Sequence, residues 1–176
     1  MSTLHLVIAP NPILQKISAP VSQITQEIKF LAHNMLETMY HHCGIGISAV
    51  QVGILQRIIV VDINWVEEKK LSDEQYIMIN PEIIETSSAN AEYNEGCLSF
   101  PEEAVKIMRP EKITVKYLDV NGKECKIQTD GLLSTCIQHE IDHLNGTTIA
   151  SHVSSLKKQL MINRIKKIKK TMEDVI

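Results

Sequence analysis

Residues 131–146 read GLLSTCIQHEIDHLNG, and they predict a helix against which the other elements pack. Asp130 is a candidate N-cap for this helix and Gly146 a candidate stop. One stripe of side chains recurs at spacings i, i+4, i+7 and i+11, and it consists of Leu132, Cys136, His139 and His143. Such a stripe predicts that the two histidines continue the buried face of the helix instead of pointing into solvent.

The same helix carries an H-E-x-x-H motif, which runs from His139 to His143. Residues four apart lie about 40° from each other around a helix, so both imidazoles can reach one ion while Glu140 projects beside it. A catalytic site of this type usually takes three protein ligands. Cys97, in the turn-like segment EGCLSFP, is the preferred third ligand, and a buried thiol that only fills the core is the alternative.

The elements that precede this helix are a second helix and several strands. Apolar residues at helical spacing lie between Thr25 and Gly44, which predicts an amphipathic N-terminal helix. Three β-rich segments follow at 45–50, 57–62 and 76–80, the last closed by Pro81. The segment 112–128 predicts two strands that flank a tight turn at Asn121-Gly122. Strands clustered between helices favour an α+β fold, with antiparallel or mixed sheets around the central metal-binding helix.

The two ends of the chain differ in character from this body. The first 20 residues contain three prolines and predict an extended, irregular arm. Residues 155–176 predict a basic amphipathic helix that forms a terminal appendage of a single domain, 1–176. This helix has seven bases and two acids, a net charge of +5, whereas the rest of the chain carries −8. The helix and the body can therefore attract different partners.

Composition excludes several classes of protein. The chain has 176 residues, of which 44% are apolar, and it is long enough for one domain with its own core. No segment approaches the ~18 uninterrupted apolar residues of a membrane span, and the N-terminus lacks the basic flank of a signal peptide. The four cysteines form no C-x-x-C pair. We therefore expect a cytoplasmic protein without a membrane partner.

A third segment, GIGISAVQ at 44–51, resembles a dinucleotide-binding fingerprint, but that fingerprint must follow a strand and begin a helix, and here the order is reversed. Its glycines instead allow another chain to approach the backbone closely, and Gln51 supplies a neutral amide donor. The sequence His41-His42-Cys43 resembles a metal cluster, yet such residues commonly end a helix. The sequence predicts no role for Trp65.

Together, GIGISAVQ, EGCLSFP and QHEIDHLNG resemble, in this order, the three signature segments of peptide deformylases, and the resemblance extends to about residue 159. It implies that Cys97, His139 and His143 hold a ferrous ion, which zinc, nickel or cobalt can replace. It also implies that Glu140 is the general acid and base of the reaction. Two departures from the family pattern are Ser48, where alanine is usual, and Ala104, where some members have arginine.

For the reaction, the resemblance implies that metal-bound water removes the formyl group from N-formylmethionyl peptides, with Gln51 and the backbone N–H of Leu98 as oxyanion donors. The peptide would lie strand-like along Ile45 and Gly46. Its methionine side chain would enter a pocket near Thr135, Cys136 and His139. The C-terminal basic helix would dock on the ribosome, although a merely solvated helix face explains its lysines equally well.

The same residues are also compatible with two other classes of protein. Cys97 with a histidine base could form a cysteine hydrolase, whose activity would survive removal of metal. A peptide- or RNA-binding module with a structural metal is the second, and its site would normally be closed by four protein ligands.

Overall fold

A computed structural model describes residues 3–65 and 75–173 and shows an α+β architecture of antiparallel sheets and helices, as the sequence predicts. The helices are α1 (Gln26–His41), α2 (Gly131–Leu144) and α3 (Ser155–Glu173). The strands are β1 (Gly46–Ser48), β2 (Ile58–Val61), β3 (Tyr76–Thr86), β4 (Asn90–Cys97), β5 (Phe100–Pro110), β6 (Lys112–Leu118) and β7 (Glu124–Asp130). Short 3-10 turns occupy Pro12–Gln15, Ala49–Val52 and Ile149–His152.

The strands form two sheets, a five-stranded sheet in the order β1-β2-β3-β6-β7 and a two-stranded sheet of β4 and β5. Every ladder between these strands is antiparallel. All four residues of β2 are buried because helices cover both faces of the sheet. Ile58 and Val60 pack with α1, whereas Ile59 and Val61 pack with α2. The sheet thereby fixes α2 in the interior.

The predicted bounds of α2 are confirmed, and its ends show how the sequence specifies them. Gly146 adopts φ +74° just beyond the helix, a conformation that glycine tolerates without steric cost. Asp130 occupies the N-cap position, but its side chain makes no capping hydrogen bond. Leu132, expected on the buried stripe, is 43% exposed because the first turn of α2 lies at the mouth of a cleft.

Pro81 does not end a strand, contrary to the prediction, since β3 continues to Thr86. The pairing of β3 with β6 shifts between Ile79 and Glu82, and Asn80 has φ +53° at this irregularity. A bulge tolerates proline because the bulged residue owes no hydrogen bond to the ladder.

The predicted turn at Asn121-Gly122 is likewise longer than expected. Leu118 pairs with Glu124, so five residues connect β6 to β7, and of the two predicted turn residues only Gly122 has a positive φ. The carboxylate of Asp119 accepts hydrogen bonds from the backbone N–H groups of Asn121 and Lys123. An Asp-centred loop therefore replaces the two-residue turn.

The segment EGCLSFP is not an isolated turn but the tip of a hairpin. Cys97 pairs with Phe100, so Leu98 and Ser99 form the tip between β4 and β5. The N-terminal arm passes beside this hairpin, where the backbone N–H of Ala9 donates to the carbonyl of Ser99 at 2.9 Å. Cys97 is consequently held at the end of a strand.

The helix α3 is more than an appendage, because its apolar stripe belongs to the core. Met161 and Ile165 are fully buried, and they pack in one cluster with Phe100, Val105 and Ile107. Among the described residues, no helix is both long and apolar enough to cross a membrane.

Candidate metal centre

The structure brings together the three residues that the sequence proposes as ligands. Cys97 comes from the end of β4, and His139 and His143 come from successive turns of α2. Their ligand atoms all lie within 4.8 Å of one another, and Cys97 Sγ is 3.2 Å from His143 Nε2. Both imidazoles are buried. One thiol and two imidazoles suit a zinc- or iron-type cation.

A buried carboxylate orients the first of these imidazoles. His139 Nδ1 lies 2.8 Å from Glu95 Oε2, which leaves His139 Nε2 to face the cluster. Arg109 holds Glu95 with two hydrogen bonds, from Nε to Oε1 at 2.6 Å and from Nη2 to Oε2 at 3.0 Å. Its Nη1 also donates to Asp142 at 2.9 Å. This network therefore fixes the tautomer and the direction of one ligand.

The sequence interpretation missed Glu95 and Arg109. The signal was present, because Glu95 and Cys97 are two residues apart and side chains of a strand alternate between its faces. Recognising β4 as a strand would have placed both side chains on the face of the metal cluster.

The two histidines have opposite pKa shifts. Burial and the neighbouring His139 hold the pKa of His143 well below its usual range, so this imidazole is neutral and ready to bind a cation. Burial also lowers the pKa of His139, but hydrogen bonds with Cys97 and Glu95 outweigh it and leave the pKa raised. His143 Nδ1 makes no hydrogen bond within the described part of the chain.

Glu140 lies beside the cluster and is 3% exposed. Its Oε2 has no hydrogen-bond partner among the described residues, and burial raises the pKa of this carboxyl to about 7. Gly46 of β1 lies directly against it, since a Cβ at Gly46 would fall 2.7 Å from Glu140 Oε1 and 2.6 Å from Cys136 Sγ. A side chain at position 46 would therefore displace the thiol of Cys136 or the carboxyl group of Glu140, whereas glycine lets β1 approach α2 without this displacement.

The side-chain amide of Gln51 is buried and has a fixed orientation. Its Oε1 accepts hydrogen bonds from the backbone N–H and the hydroxyl of Ser48, both at 2.9 Å. Its Nε2 then points to the hairpin tip, donating to Ser99 Oγ at 3.2 Å and to Cys97 Sγ at 3.6 Å. The hydroxyl of Ser48, absent when alanine occupies this position, thus helps to aim the amide at the cluster.

The cluster opens into a cleft of about 990 Å³. Ile45, Gly46, Thr135 and Cys136 line it, together with Leu98. The hydroxyl of Thr135 donates back to its own helix, and the thiol of Cys136 to the carbonyl of Ile45. The predicted substrate-binding residues therefore share one cavity with the cluster.

Two strand edges border the cleft. β1 is an outer strand of its sheet, and β4 pairs with β5 alone among the described strands. The backbone N–H of Asp62 donates to the carbonyl of Ile45, so Ile45 is a hydrogen-bonded position in the pairing with β2. Because ladder bonds alternate along an antiparallel pair, the backbone of Gly46 faces away from β2, toward the open edge.

His41, His42 and Cys43 do not form a metal cluster in the structure. Cys97, His139 and His143 are the only such group among the described residues. The rings of His41 and His42 contact each other edge to face, with centroids 4.9 Å apart, and both residues line the cleft.

A thiol and two imidazoles lie beside a buried carboxylate, and Cys97, His139 and Glu140 line an open cleft, an arrangement typical of metal-dependent hydrolases. A family model for polypeptide deformylase matches residues 3–159. The chain belongs to the polypeptide deformylase family, as the resemblance implied.

Relatives and solved structures agree with this membership. The peptide deformylase of Rhizobium meliloti is 43% identical over 97% of each chain, and that of Pelagibacter ubique is 44% identical over 96% of each. A crystal structure of peptide deformylase from Ehrlichia chaffeensis is 40% identical, covers 99% of this chain and 100% of its own, and superimposes with a TM-score of 0.89. A second, in complex with actinonin, is 42% identical over 95% of this chain and 98% of its own, also with a TM-score of 0.89.

Proposed function

We propose that this chain hydrolyses the N-formyl group of formylmethionyl peptides and releases formate and a free amino terminus. The observation that carries the proposal is the convergence of Cys97, His139 and His143 beside the unpaired carboxylate oxygen of Glu140, at the floor of a cleft with two strand edges. The Ehrlichia chaffeensis enzyme forms a complex with actinonin, and we expect actinonin to be a competitive inhibitor of this chain as well.

The residues present fit a divalent cation, with ferrous iron the proposed native metal and zinc, nickel or cobalt as substitutes. The ligand set is one sulfur and two nitrogens, of which one nitrogen is pre-oriented by Glu95. Bound there, a divalent cation supplies Lewis acidity, which lowers the pKa of water and polarises a carbonyl.

Glu140 is the proposed acid and base. As a carboxylate it accepts a proton from the water that attacks the formyl carbon, and it returns that proton to the departing amine nitrogen. Its pKa, raised by burial to about 7, allows both states near neutral pH. Gln51 Nε2 and the backbone N–H of Leu98 would donate to the formyl oxygen as it gains negative charge. Breakage of the C–N bond then yields formate and the free amine.

The peptide is proposed to lie along β1 and to pair with the outward backbone of Gly46. An extended chain gains main-chain hydrogen bonds when it adds to such a strand edge. The formylmethionine side chain would then occupy the part of the cleft lined by Ile45, Thr135, Cys136 and His139.

A cysteine hydrolase fits the structure less well. A thiol nucleophile needs one histidine base. Here both imidazoles converge on Cys97, because His143 Nε2 lies 3.2 Å from the sulfur and His139 also hydrogen-bonds with it. The second imidazole has no role in a cysteine hydrolase, whereas it completes a set of three metal ligands.

The proposed substrate is a nascent chain, so we propose that the protein acts in the cytoplasm. We also propose that its basic helix α3 docks on the ribosome. The lysines Lys157, Lys158, Lys166 and Lys170 of α3 are exposed. A cluster of cations favours a phosphate-rich surface electrostatically.

Replacement of Glu140 by glutamine tests the mechanism, because it keeps the shape of the side chain but cannot accept the proton. We expect E140Q to bind metal as the wild type does and to lose about 10²–10⁴-fold in kcat for formate release from formyl-Met-Ala-Ser. Metal content and formate are measured on the same anaerobic preparation. Normal turnover by E140Q would refute the role of Glu140, and activity that survives complete chelation of the wild type would refute the metal mechanism.

A further inference from the structure

Trp65, for which the sequence predicts no role, contacts the backbone of the segment that lines the cleft. Its indole Nε1 donates to the carbonyl of Gly44 at 2.6 Å. Gly44 directly precedes Ile45 and Gly46, and all three line the cleft. Trp65 itself does not line it. The indole therefore acts on the cleft through the backbone.

Tyr40 and Asp62 hold the indole in place. The rings of Tyr40 and Trp65 meet edge to face, with centroids 5.0 Å apart. The hydroxyl of Tyr40 donates to Asp62 Oδ2 at 3.0 Å, and Asp62 Oδ1 accepts from the backbone N–H of Trp65 at 3.2 Å. Because the N–H of Asp62 also donates to the carbonyl of Ile45, the group fixes two consecutive carbonyls of the segment.

The strand edge needs such support. β1 has three residues, it pairs only with β2 among the described strands, and glycines at 44 and 46 give its backbone more freedom than other residues would. Gly44 also packs on Leu98, since a Cβ there would fall 2.8 Å from Leu98 Cδ1. A displaced Gly44 would therefore alter the width of the cleft between β1 and the hairpin tip.

We infer that Trp65 is a positioning residue for the peptide, which it serves by holding the backbone of 44–46 in the geometry that an extended chain can pair with. The inference rests on the proposed function for its substrate. A residue with this role lowers KM for substrates that pair along β1, so its loss raises that KM and leaves the step at the formyl carbon largely unchanged.

Trp65→Phe removes the N–H and keeps an aromatic ring against Tyr40. This hydrogen bond is present with and without substrate, so its loss raises KM by lowering the fraction of enzyme whose 44–46 backbone can pair with the peptide. The free energy of one hydrogen bond limits the rise in KM for formyl-Met-Ala-Ser to about threefold to tenfold, with kcat within about twofold of the wild type. Formyl-Met amide lacks the following residues that pair with the edge, so its KM should change by less than about twofold. Tyr40→Phe, which keeps the ring and loses the hydrogen bond to Asp62, should shift KM in the same direction by a smaller factor.

Equal KM changes for the two substrates, or an unchanged KM for the longer one, would overturn the inference. Hydrogen exchange of the amides at 45–48 provides a readout that does not depend on turnover, and it should be faster in W65F than in the wild type. Unchanged exchange would also overturn it. If the wild type released no formate, the proposed function would fail, while the exchange experiment would still test the positioning role. If W65F did not fold, Y40F would decide by the same measurements.

Discussion

Glu95 orients the imidazole of His139, so that its Nε2 faces the other two candidate ligands. The side chain of Glu95 is 5% exposed, and it accepts hydrogen bonds from Arg109 while it contacts His139 Nδ1. A buried carboxylate is tolerable only with partners of this kind. The Glu95–Arg109 pair therefore stabilises an arrangement of ligands more than it stabilises the fold, since buried ion pairs contribute little net free energy.

Glu95→Gln should weaken metal binding while it conserves volume. The amide is neutral, so Nδ1 of His139 loses a charged acceptor and Arg109 loses one of its counter-charges. Changes in such outer partners typically cost about 10- to 100-fold in metal affinity. Competition with a chromogenic chelator, with zinc as the probe metal, measures the change.

The matched control is Glu92→Gln, on the same strand. Glu92 pairs with Lys106 at 3.3 Å, and both side chains are largely exposed. Exposed pairs contribute about 0–1 kcal/mol, so zinc affinity should equal that of the wild type. Equal affinities of the E95Q and E92Q variants would show that Glu95 does not orient the ligand.

Zinc affinity should also depend on pH, because a cation must displace the proton of His139. Hydrogen bonds with Cys97 and Glu95 raise the pKa of this imidazole against the effect of burial, so the apo site favours the protonated ring more than a free histidine would. Binding releases this proton, and affinity therefore rises with pH, by about tenfold per unit for one proton, up to that pKa.

Chelator competition between pH 5.5 and 8.5 would measure this slope. In the Glu95→Gln variant we expect the pKa of His139 to fall, so the increase of zinc affinity with pH should end at a lower pH than in the wild type. An affinity that does not vary with pH in the wild type would contradict the protonated state of apo His139.

The elements that the sequence predicted best are those with a simple apolar pattern. Helices α1 and α2 and strand β2 follow from periodicity, because each is covered by other elements along its apolar positions. The hairpin of β4 and β5 was missed because Glu95 and Arg109 occupy inward positions where a strand usually has apolar residues. Functional groups thus obscured the strand that carries them. His139 and His143 were predicted from the H-E-x-x-H spacing and Cys97 from its segment and the family resemblance, whereas the carboxylate that orients His139 required the fold.

Helix α3 illustrates the same limit, since its charge suggested an appendage. Ile165 is fully buried in the cluster with Phe100 and Val105. Ile165→Ala should therefore lower the free energy of unfolding by about 2–5 kcal/mol. Leu160→Ala on the same helix is the control, because this side chain is 49% exposed and should change stability by about 0.5 kcal/mol or less. Urea unfolding curves that coincide for the two variants would contradict the packing of α3 into the core.

The distribution of charge over the molecule separates a basic helix from an acidic body. Residues 155–176 carry +5 and the remainder −8, so the chain as a whole is only slightly acidic. Arg164 is already paired with Glu103, from Nη2 to Oε2 at 2.8 Å. Because α3 also packs into the core, removing it would confound loss of charge with loss of stability. Substitution of exposed lysines separates the two effects.

A helix variant with Lys157, Lys158, Lys166 and Lys170 changed to glutamine should weaken binding to 70S ribosomes and reduce its dependence on salt. Each phosphate that the helix no longer neutralises removes about 0.7–0.9 from the slope of log affinity against log salt.

The control variant changes Lys16, Lys106, Lys116 and Lys123 to glutamine. These lysines are exposed on the body, so the control alters the net charge equally. Turnover of formyl-Met-Ala-Ser should be the same in both variants, since none of the eight residues lines the cleft. Co-sedimentation at several salt concentrations measures the affinities. Equal weakening by the two variants would assign the attraction to net charge and refute a docking role for the helix.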